Sequence, residues 1–223
     1  MIALIGTLVT VVVPTLFRSS EPPVETTDPT KAPDALSALE LVDVSATKRG
    51  YETVFLDVKI RNIGNKTSVL KRAIAHVSDW ELIGPCGSGA AMPVTSTYKM
   101  TFPVIPAMSK FDVSTEMNDS LKPNEATRIE IEAGLDEQDP FIDGIIFRFT
   151  LELNFDAEGA VKSNPVLISL PGEVSPPSEW EAMQKSPEWS ERECGEENLK
   201  NLRRILSLPG SRSKDLQEVT DKL

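Results

Sequence analysis

Histidine and cysteine are scarce in this chain of 223 residues, which contains one histidine, His76, and two cysteines, Cys86 and Cys194. A single histidine excludes sites built from several imidazole ligands, and it leaves a histidine-dependent catalytic triad only one residue around which to form. The cysteines are too far apart in sequence to act as the closely spaced ligand pairs of a zinc site. We therefore predict no catalytic residues, no metal site and no cofactor.

Basic and aromatic residues are also in the minority. Lysine and arginine number 23 against 34 aspartate and glutamate residues, which gives a formal net charge of −11. Because phosphate backbones bind basic surfaces, this balance excludes nucleic acid as an expected partner. The glycine-rich stretch at residues 84–93 is not followed by the Lys-Ser/Thr pair of a phosphate-binding loop, so a nucleotide site is not expected either.

The first 17 residues carry no charged side chain, and Arg18 follows them directly. About 17 apolar residues is the lower limit for crossing a hydrocarbon core of roughly 30 Å. No basic residue precedes the segment and no small-residue cleavage site ends it, which favours a membrane anchor over a cleaved signal peptide or a buried core segment. Arg18 and Lys31 lie after the span, and this charge favours a cytoplasmic location for the rest of the chain. We predict a single-pass anchor at residues 1–17 and a disordered linker, rich in proline, threonine and acids, at residues 18–36.

Residues 37–172 show the alternation of strands. In residues 54–62, Val54, Leu56, Val58 and Ile60 alternate with polar residues. Residues 39–45 alternate as well, with Leu39 and Leu41 on one face and Val42 and Val44 on the other. The following set is expected to face inward: Leu56, Val58, Phe147, Phe149 and Leu151.

Seven to eight such short strands, separated by turn residues, favour an antiparallel arrangement over parallel βαβ units. The fold class predicted for residues 37–172 is therefore an all-β, immunoglobulin-like antiparallel β-sandwich.

Residues 173–223 change in character. An apolar stripe predicts a helix within residues 191–208, which Pro209 and Gly210 end; the stripe consists of Leu199, Leu202, Ile205 and Leu206. Residues 211–223 are expected to form a second short helix or a frayed tail. Trp180 and Trp189 are expected to fasten this C-terminal tail to the sandwich; a partner surface is the alternative.

A family resemblance lies in residues 56–77, LDVKIRNIGNKTSVLKRAIAHV, where an alternating strand runs into an N-x-G-N turn. The segment resembles the second and third strands of bacterial immunoglobulin-like domains of the CARDB type. It is also similar to uncharacterised bacterial proteins that place one sandwich after a single membrane helix. The resemblance implies a sandwich fold with a binding or scaffolding character, and it carries no site residues.

Three groups of residues are candidate sites. His76 lies in an alternating strand and is interpreted as a surface or structural histidine. Asp112 and Glu116 are a conceivable glycosidase-like pair, although many acid pairs in an acidic chain qualify equally. A cluster of four acids is interpreted as a solvated connection between strands, because its spacing differs from that of a calcium loop; its members are Asp136, Glu137, Asp139 and Asp143.

The function predicted from these features is a membrane-anchored, non-enzymatic β-sandwich module that binds a protein partner or serves as a structural module. The alternatives are a hydrolase acting through carboxylates and an exported carbohydrate-binding module. The low aromatic content of 6% disfavours the latter. Cys86 and Cys194 are expected to form a disulfide if the domain lies outside the cytoplasm, and to remain free thiols if it lies inside.

Overall fold

The computed structural model describes residues 36–48, 53–84, 99–104, 108–136, 144–170 and 174–223. They fall within one of the two units into which the chain divides, Ala35–Leu223. The predicted anchor at residues 1–17, and the linker except for its last residue, lie outside the described residues. None of the helices in the described part is long and apolar enough to cross a membrane.

The described chain is mostly β-strand, with helices gathered at its C-terminal end. The elements, in chain order, are β1 (Leu39–Lys48), β2 (Val54–Asn62), β3 (Ser68–Ile83), β4 (Lys99–Phe102), β5 (Phe111–Glu116), β6 (Ser120–Leu121), β7 (Ala126–Leu135), β8 (Gly144–Phe155), β9 (Gly159–Leu170), α1 (Pro177–Met183), α2 (Trp189–Leu206), β10 (Ser211–Arg212) and α3 (Lys214–Thr220).

The described strands form two sheets, which confirms the prediction of a mostly β fold. The smaller sheet has the order β1-β2-β7-β4, and the larger sheet has the order β10-β9-β8-β3-β5, with β6 beside β3. Two pairs, β4 with β7 and β10 with β9, are parallel and depart from the expected antiparallel pairing. Parallel neighbours need a long connection, and helices α1 and α2 provide one between β9 and β10.

The core between the sheets contains the residues that alternation predicted. The five residues expected to face inward are fully buried: Leu56, Val58, Phe147, Phe149 and Leu151. Phe102 from the smaller sheet packs against two of them, with ring centroids 4.9 Å from Phe147 and 5.8 Å from Phe149. Aromatic contact between the two sheets therefore lies at the centre of the core.

Strand β1 does not follow the predicted alternation. Its pairing with β2 shifts register between Leu41 and Asp43. Such a bulge adds one residue, so the side chains beyond it change face. Leu39 and Val44 consequently both lie in the core, whereas Val42 is 58% exposed. The predicted placement of Val44 opposite Leu39 is wrong for this reason.

The N-I-G-N sequence forms the turn between β2 and β3. Asn62 is buried, its Nδ2 donates to the carbonyls of Lys66 and Leu121, each at 2.8 Å, and its Oδ1 accepts from Gly64 N at 2.9 Å. A Cβ at Gly64 would lie 2.3 Å from the Leu36 carbonyl oxygen. The turn therefore needs glycine because the chain entering β1 passes directly against it.

Residues 174–223, which we call the C-terminal cap, pack on the outer face of the larger sheet. They form a second apolar cluster with Ile83, Ile146 and Leu167 of that sheet. The predicted stripe on α2 is buried in this cluster, and residues 211–223 form β10 and α3. Trp180 is 1% exposed and fastens the cap as predicted, whereas Trp189 is 68% exposed and does not.

Candidate functional site

The outer face of the larger sheet is divided into two halves. The cap covers one half, where Ile146 is fully buried. Arg148 marks the boundary, because its Nε donates to the carbonyl of Pro209 in the cap and its Nη1 donates to Ser78 Oγ. Beyond Arg148, most outward positions of β3, β5, β8 and β9 carry polar side chains that are partly or fully exposed, and Ile74 and Ala160 are apolar exceptions. We call this half the open face; its polar residues are Arg72, His76, Asp112, Ser114, Glu116, Thr150, Glu152, Asn154 and Lys162.

His76 lies near the centre of the open face between two carboxylates. Its Nδ1 is 2.8 Å from Oδ1 of Asp112, and its Nε2 is 3.1 Å from Oε2 of Glu152. Asp112 is the direct neighbour of His76 across the β3–β5 pair, and Thr150 is its neighbour on β8. Both ring nitrogens of His76 therefore lie within hydrogen-bond distance of a carboxylate oxygen.

Glu152 extends this arrangement to a fourth strand. Its Oε2 lies 2.8 Å from Nζ of Lys162 on β9, and its Oε1 accepts a hydrogen bond from Asn154 at 2.6 Å. The hydrogen bonds from Lys162, Asn154 and His76 outweigh the effect of burial and lower the pKa of Glu152 to about 2. Asp112, His76, Glu152 and Lys162 thus form a continuous row of polar contacts between ionisable side chains across four strands, which we call the charge row.

A second ion pair and a hollow lie beside the charge row. Arg72 Nε donates to Oε1 of Glu116 at 2.8 Å, and the two residues are direct neighbours across β3 and β5. The hollow measures about 580 Å³ and opens onto the face. Its lining residues are His76, Val77, Ser78, Lys110, Phe111, Asp112, Thr150 and Lys162.

The side chains of the charge row bind one another. The two carboxylates approach opposite nitrogens of His76, so they orient the ring instead of converging on one point. Within the described ranges, no group of three or more His, Cys, Asp and Glu side chains is arranged to hold a metal ion. The arrangement therefore provides a surface of ordered polar groups that includes the ion pairs Glu152–Lys162 and Arg72–Glu116.

The structure does not bring the described acidic candidate residues together as a catalytic pair. Asp112 and Glu116 share one face of β5, but they bind different side chains, His76 and Arg72. Asp136 accepts a hydrogen bond from Val104 N at 3.0 Å and so fixes the backbone at Val104. The other acids of that cluster, residues 137, 139 and 143, lie outside the described residues.

Sequence reasoning missed Glu152 and Lys162 as members of the site. Both occupy outward positions of strands, but their proximity to His76 depends on strand order and on register shifts within β3–β8 and β8–β9. Cross-strand pairing of outward charges is a general stabilising device. The alternation of β8 therefore indicated that Glu152 points outward. It did not indicate which strands lie beside β8.

The cap also contains a disulfide-bonded cysteine. Cys194 on α2 is disulfide-bonded, and the only other cysteine of the chain, Cys86, lies outside the described residues. Asn198, one helical turn beyond Cys194, accepts a hydrogen bond from Gly84 N at 3.1 Å and donates one to Gly84 O at 2.8 Å. The end of β3, two residues before Cys86 in sequence, is thereby fixed to α2.

Comparison with known proteins does not identify a family for this chain. No protein-family model matches the chain, and no curated protein sequence matches it. Among solved structures, the chain is similar to the GH3 beta-glucosidase of Bifidobacterium adolescentis, with 14% identity and a TM-score of 0.33 over 73% of this chain and 21% of that one. It is also similar to the putative ApaA protein of Bordetella pertussis, with 10% identity and a TM-score of 0.27 over 63% of this chain and 98% of that one. The chain thus spans 21% of the glucosidase, and neither similarity supports an assignment.

Proposed function

We propose that this protein is a membrane-tethered, non-enzymatic, immunoglobulin-like β-sandwich that binds a protein partner through the open face. One observation carries the proposal: the cap covers half of the outer face of the larger sheet and leaves the charge row uncovered beside it. Ordered charges of both signs on an accessible face suit recognition, because complementary charge steers a partner and fixes its register.

The electrostatics of Glu152 argue against a role for this residue as a catalytic acid. A hydrolase acting through carboxylates needs one carboxyl group that stays protonated near neutral pH, and therefore one with a raised pKa. The pKa of Glu152 is shifted in the opposite direction, to about 2. Its carboxylate is thus held as a partner for Lys162 and is poorly suited to donate a proton.

Attachment to a membrane is proposed on the uncharged segment at residues 1–17, which is long enough to span a bilayer. Charge after this segment favours a cytoplasmic domain, but the disulfide at Cys194 supports the opposite side. Disulfides persist in oxidising compartments and are rare in the cytosol. We propose that the sandwich lies on the extracytoplasmic side, because a disulfide is a stronger constraint than two basic residues.

Site-specific photo-cross-linking in intact cells tests the binding proposal. A photoreactive side chain at Thr150, in the centre of the open face, is compared with one at the exposed Glu196 on α2. We expect a discrete adduct with a second protein from Thr150 only, and its yield should fall several-fold when Lys162→Glu reverses one charge of the row. The matched change Lys200→Glu on α2 should leave it unaltered. Adducts of equal yield from both positions, or none from Thr150, would contradict the proposal.

A further inference from the structure

Strand β5 ends the larger sheet at the border of the open face, and among the described residues β3 is the strand hydrogen-bonded to it. Strand β4 of the smaller sheet lies close to β5 without pairing with it. In an antiparallel pair, alternate residues exchange both backbone hydrogen bonds with the neighbour. Met117 N donates to the Lys71 carbonyl at 2.9 Å, so residues 113 and 115 also bond toward β3. The backbone N–H and C=O groups of Asp112, Ser114 and Glu116 consequently face away from the sheet, and all three residues are exposed.

The side chains along this edge are acidic and incompletely used. Asp112 binds His76 through Oδ1, and Glu116 binds Arg72 through Oε1, while their side chains remain 64% and 72% exposed. Neither Oδ2 of Asp112 nor Oε2 of Glu116 has a hydrogen bond or ion pair with the described residues. Four residues of strand separate the two carboxylates by about 13 Å on one face.

A second copy of this chain is a poor occupant for the edge. If two β5 strands paired in antiparallel fashion about Ser114, Asp112 of each copy would lie opposite Glu116 of the other. Like charges directly opposite one another destabilise strand pairing, and the net charge of −11 adds repulsion between copies. The edge therefore disfavours self-association and favours a strand of opposite charge.

We propose that β5 accepts an extended segment of a protein partner as an added strand, with basic side chains at positions i and i+4 of that segment. Backbone hydrogen bonds to Asp112, Ser114 and Glu116 would bind the segment, and its two basic side chains would reach the free carboxylate oxygens. A spacing of i and i+3 would place the basic side chains on opposite faces of the strand. This inference rests on the proposed function and names its partner class.

Peptide binding to the full chain in detergent tests the proposal. The probes are ten-residue threonine- and valine-rich peptides with lysines at i and i+4, the same composition with lysines at i and i+3, and glutamates at i and i+4. We expect the first peptide to bind roughly two- to fivefold more tightly than the i and i+3 peptide, which loses one opposite-charge pair, and at least about tenfold more tightly than the glutamate peptide. It should also slow amide exchange at residues 112, 114 and 116. Equal binding of the two lysine peptides, or binding of neither, overturns the proposal.

Variants make the test specific for strand addition. Ser114→Pro removes an N–H that faces away from β3, so the sheet should tolerate it and peptide binding should be lost; Ser114→Ala is the matched control and should bind normally. If Ser114→Pro does not fold, the double variant Asp112→Lys and Glu116→Lys should reverse the preference toward the glutamate peptide, and an unchanged preference overturns the proposal. Cross-links from Thr150 that survive in Ser114→Pro would overturn the β5 proposal and leave the proposed function standing. Peptide binding at β5 without any cross-link from Thr150 would instead support the β5 site and contradict the proposed function.

Discussion

Asn198 on α2 holds the backbone of Gly84 with two hydrogen bonds: its Oδ1 accepts from Gly84 N at 3.1 Å and its Nδ2 donates to Gly84 O at 2.8 Å. Asn198 is only 4% exposed, and Gly84 directly follows β3. The pair reproduces the two backbone bonds that a neighbouring strand would have made. It therefore joins the C-terminal cap to the sheet next to the disulfide of Cys194.

The first prediction concerns this clamp. Asn198→Ala leaves the N–H and C=O of Gly84 without their partner, so the free energy of unfolding should fall by roughly 1 to 3 kcal/mol. Urea unfolding followed by tryptophan fluorescence measures the change, because the buried Trp180 reports on the cap. Asn201→Ala changes the same residue type in the same helix and is the control. It should lower the free energy of unfolding by less than about 0.5 kcal/mol. Equal losses in the two variants would show that the clamp does not hold the cap.

The second prediction concerns the disulfide. Cys194 should resist thiol reagents in the native, unreduced protein and become reactive after reductant is added. Cys194→Ser should lower the free energy of unfolding by roughly 2 to 5 kcal/mol, as for other native disulfides. The loss should vanish when both proteins are compared under reducing conditions. Two thiols per chain in protein purified without reductant would contradict the structure and remove the support for an extracytoplasmic domain.

The third prediction concerns acid stability. The ordinary pKa of the Glu152 carboxyl is 4.5, and the fold lowers it to about 2 through Lys162, Asn154 and His76. The ionised group therefore stabilises the fold fully above the unfolded pKa, and this contribution is lost as pH falls from about 4.5 toward 2. At pH 7, Glu152→Gln should lose roughly 1 to 3 kcal/mol, and the gap to the parent should narrow across that interval.

Glu116→Gln provides the control for the acid experiment. Its side chain is 72% exposed in the pair with Arg72, and exposed ion pairs contribute under about 1 kcal/mol. Unfolding in urea at a series of pH values compares the two variants with the parent. A gap for Glu152→Gln that is constant from pH 7 to pH 2 would show that ionisation of Glu152 does not stabilise the fold.

The alternation of strands was predictable where one face is buried without interruption. In β2 and β8, period-two apolar residues identified the inward face correctly, because successive side chains point to opposite faces of the sheet. Ile146 is buried on the outward face of β8 because the cap covers it. In β1 the same reasoning failed at Val44, because a bulge is set by pairing with β2 and leaves no mark in local alternation. Helix α2 was predictable for the same reason as β2, since its apolar stripe repeats at the helical period.

The charge row was beyond sequence reasoning. Its four residues come from four strands, and Lys162 meets His76 only through Glu152 on β8, which lies between them. Strand order brings β5, β3, β8 and β9 side by side, and no local pattern encodes that order. The parallel position of β4 beside β7 is non-local for the same reason.

The fourth prediction concerns the core. Phe149 is fully buried and packs against Phe102. Phe149→Ala should lower the free energy of unfolding by roughly 3 to 5 kcal/mol through lost burial and the cavity left behind. Val42→Ala, at the exposed position created by the bulge, should change it by less than about 0.5 kcal/mol. A loss below about 1 kcal/mol for Phe149→Ala would mean that the inward face of β8 is assigned incorrectly.

Attachment of the sandwich to a membrane is the claim on which the proposed function rests most heavily, and fractionation tests it directly. The full chain should sediment with membranes in high-speed centrifugation and resist extraction by alkaline carbonate. A variant lacking residues 1–20 should remain in the supernatant as a folded protein. Recovery of the full chain in the supernatant would contradict membrane attachment by residues 1–17.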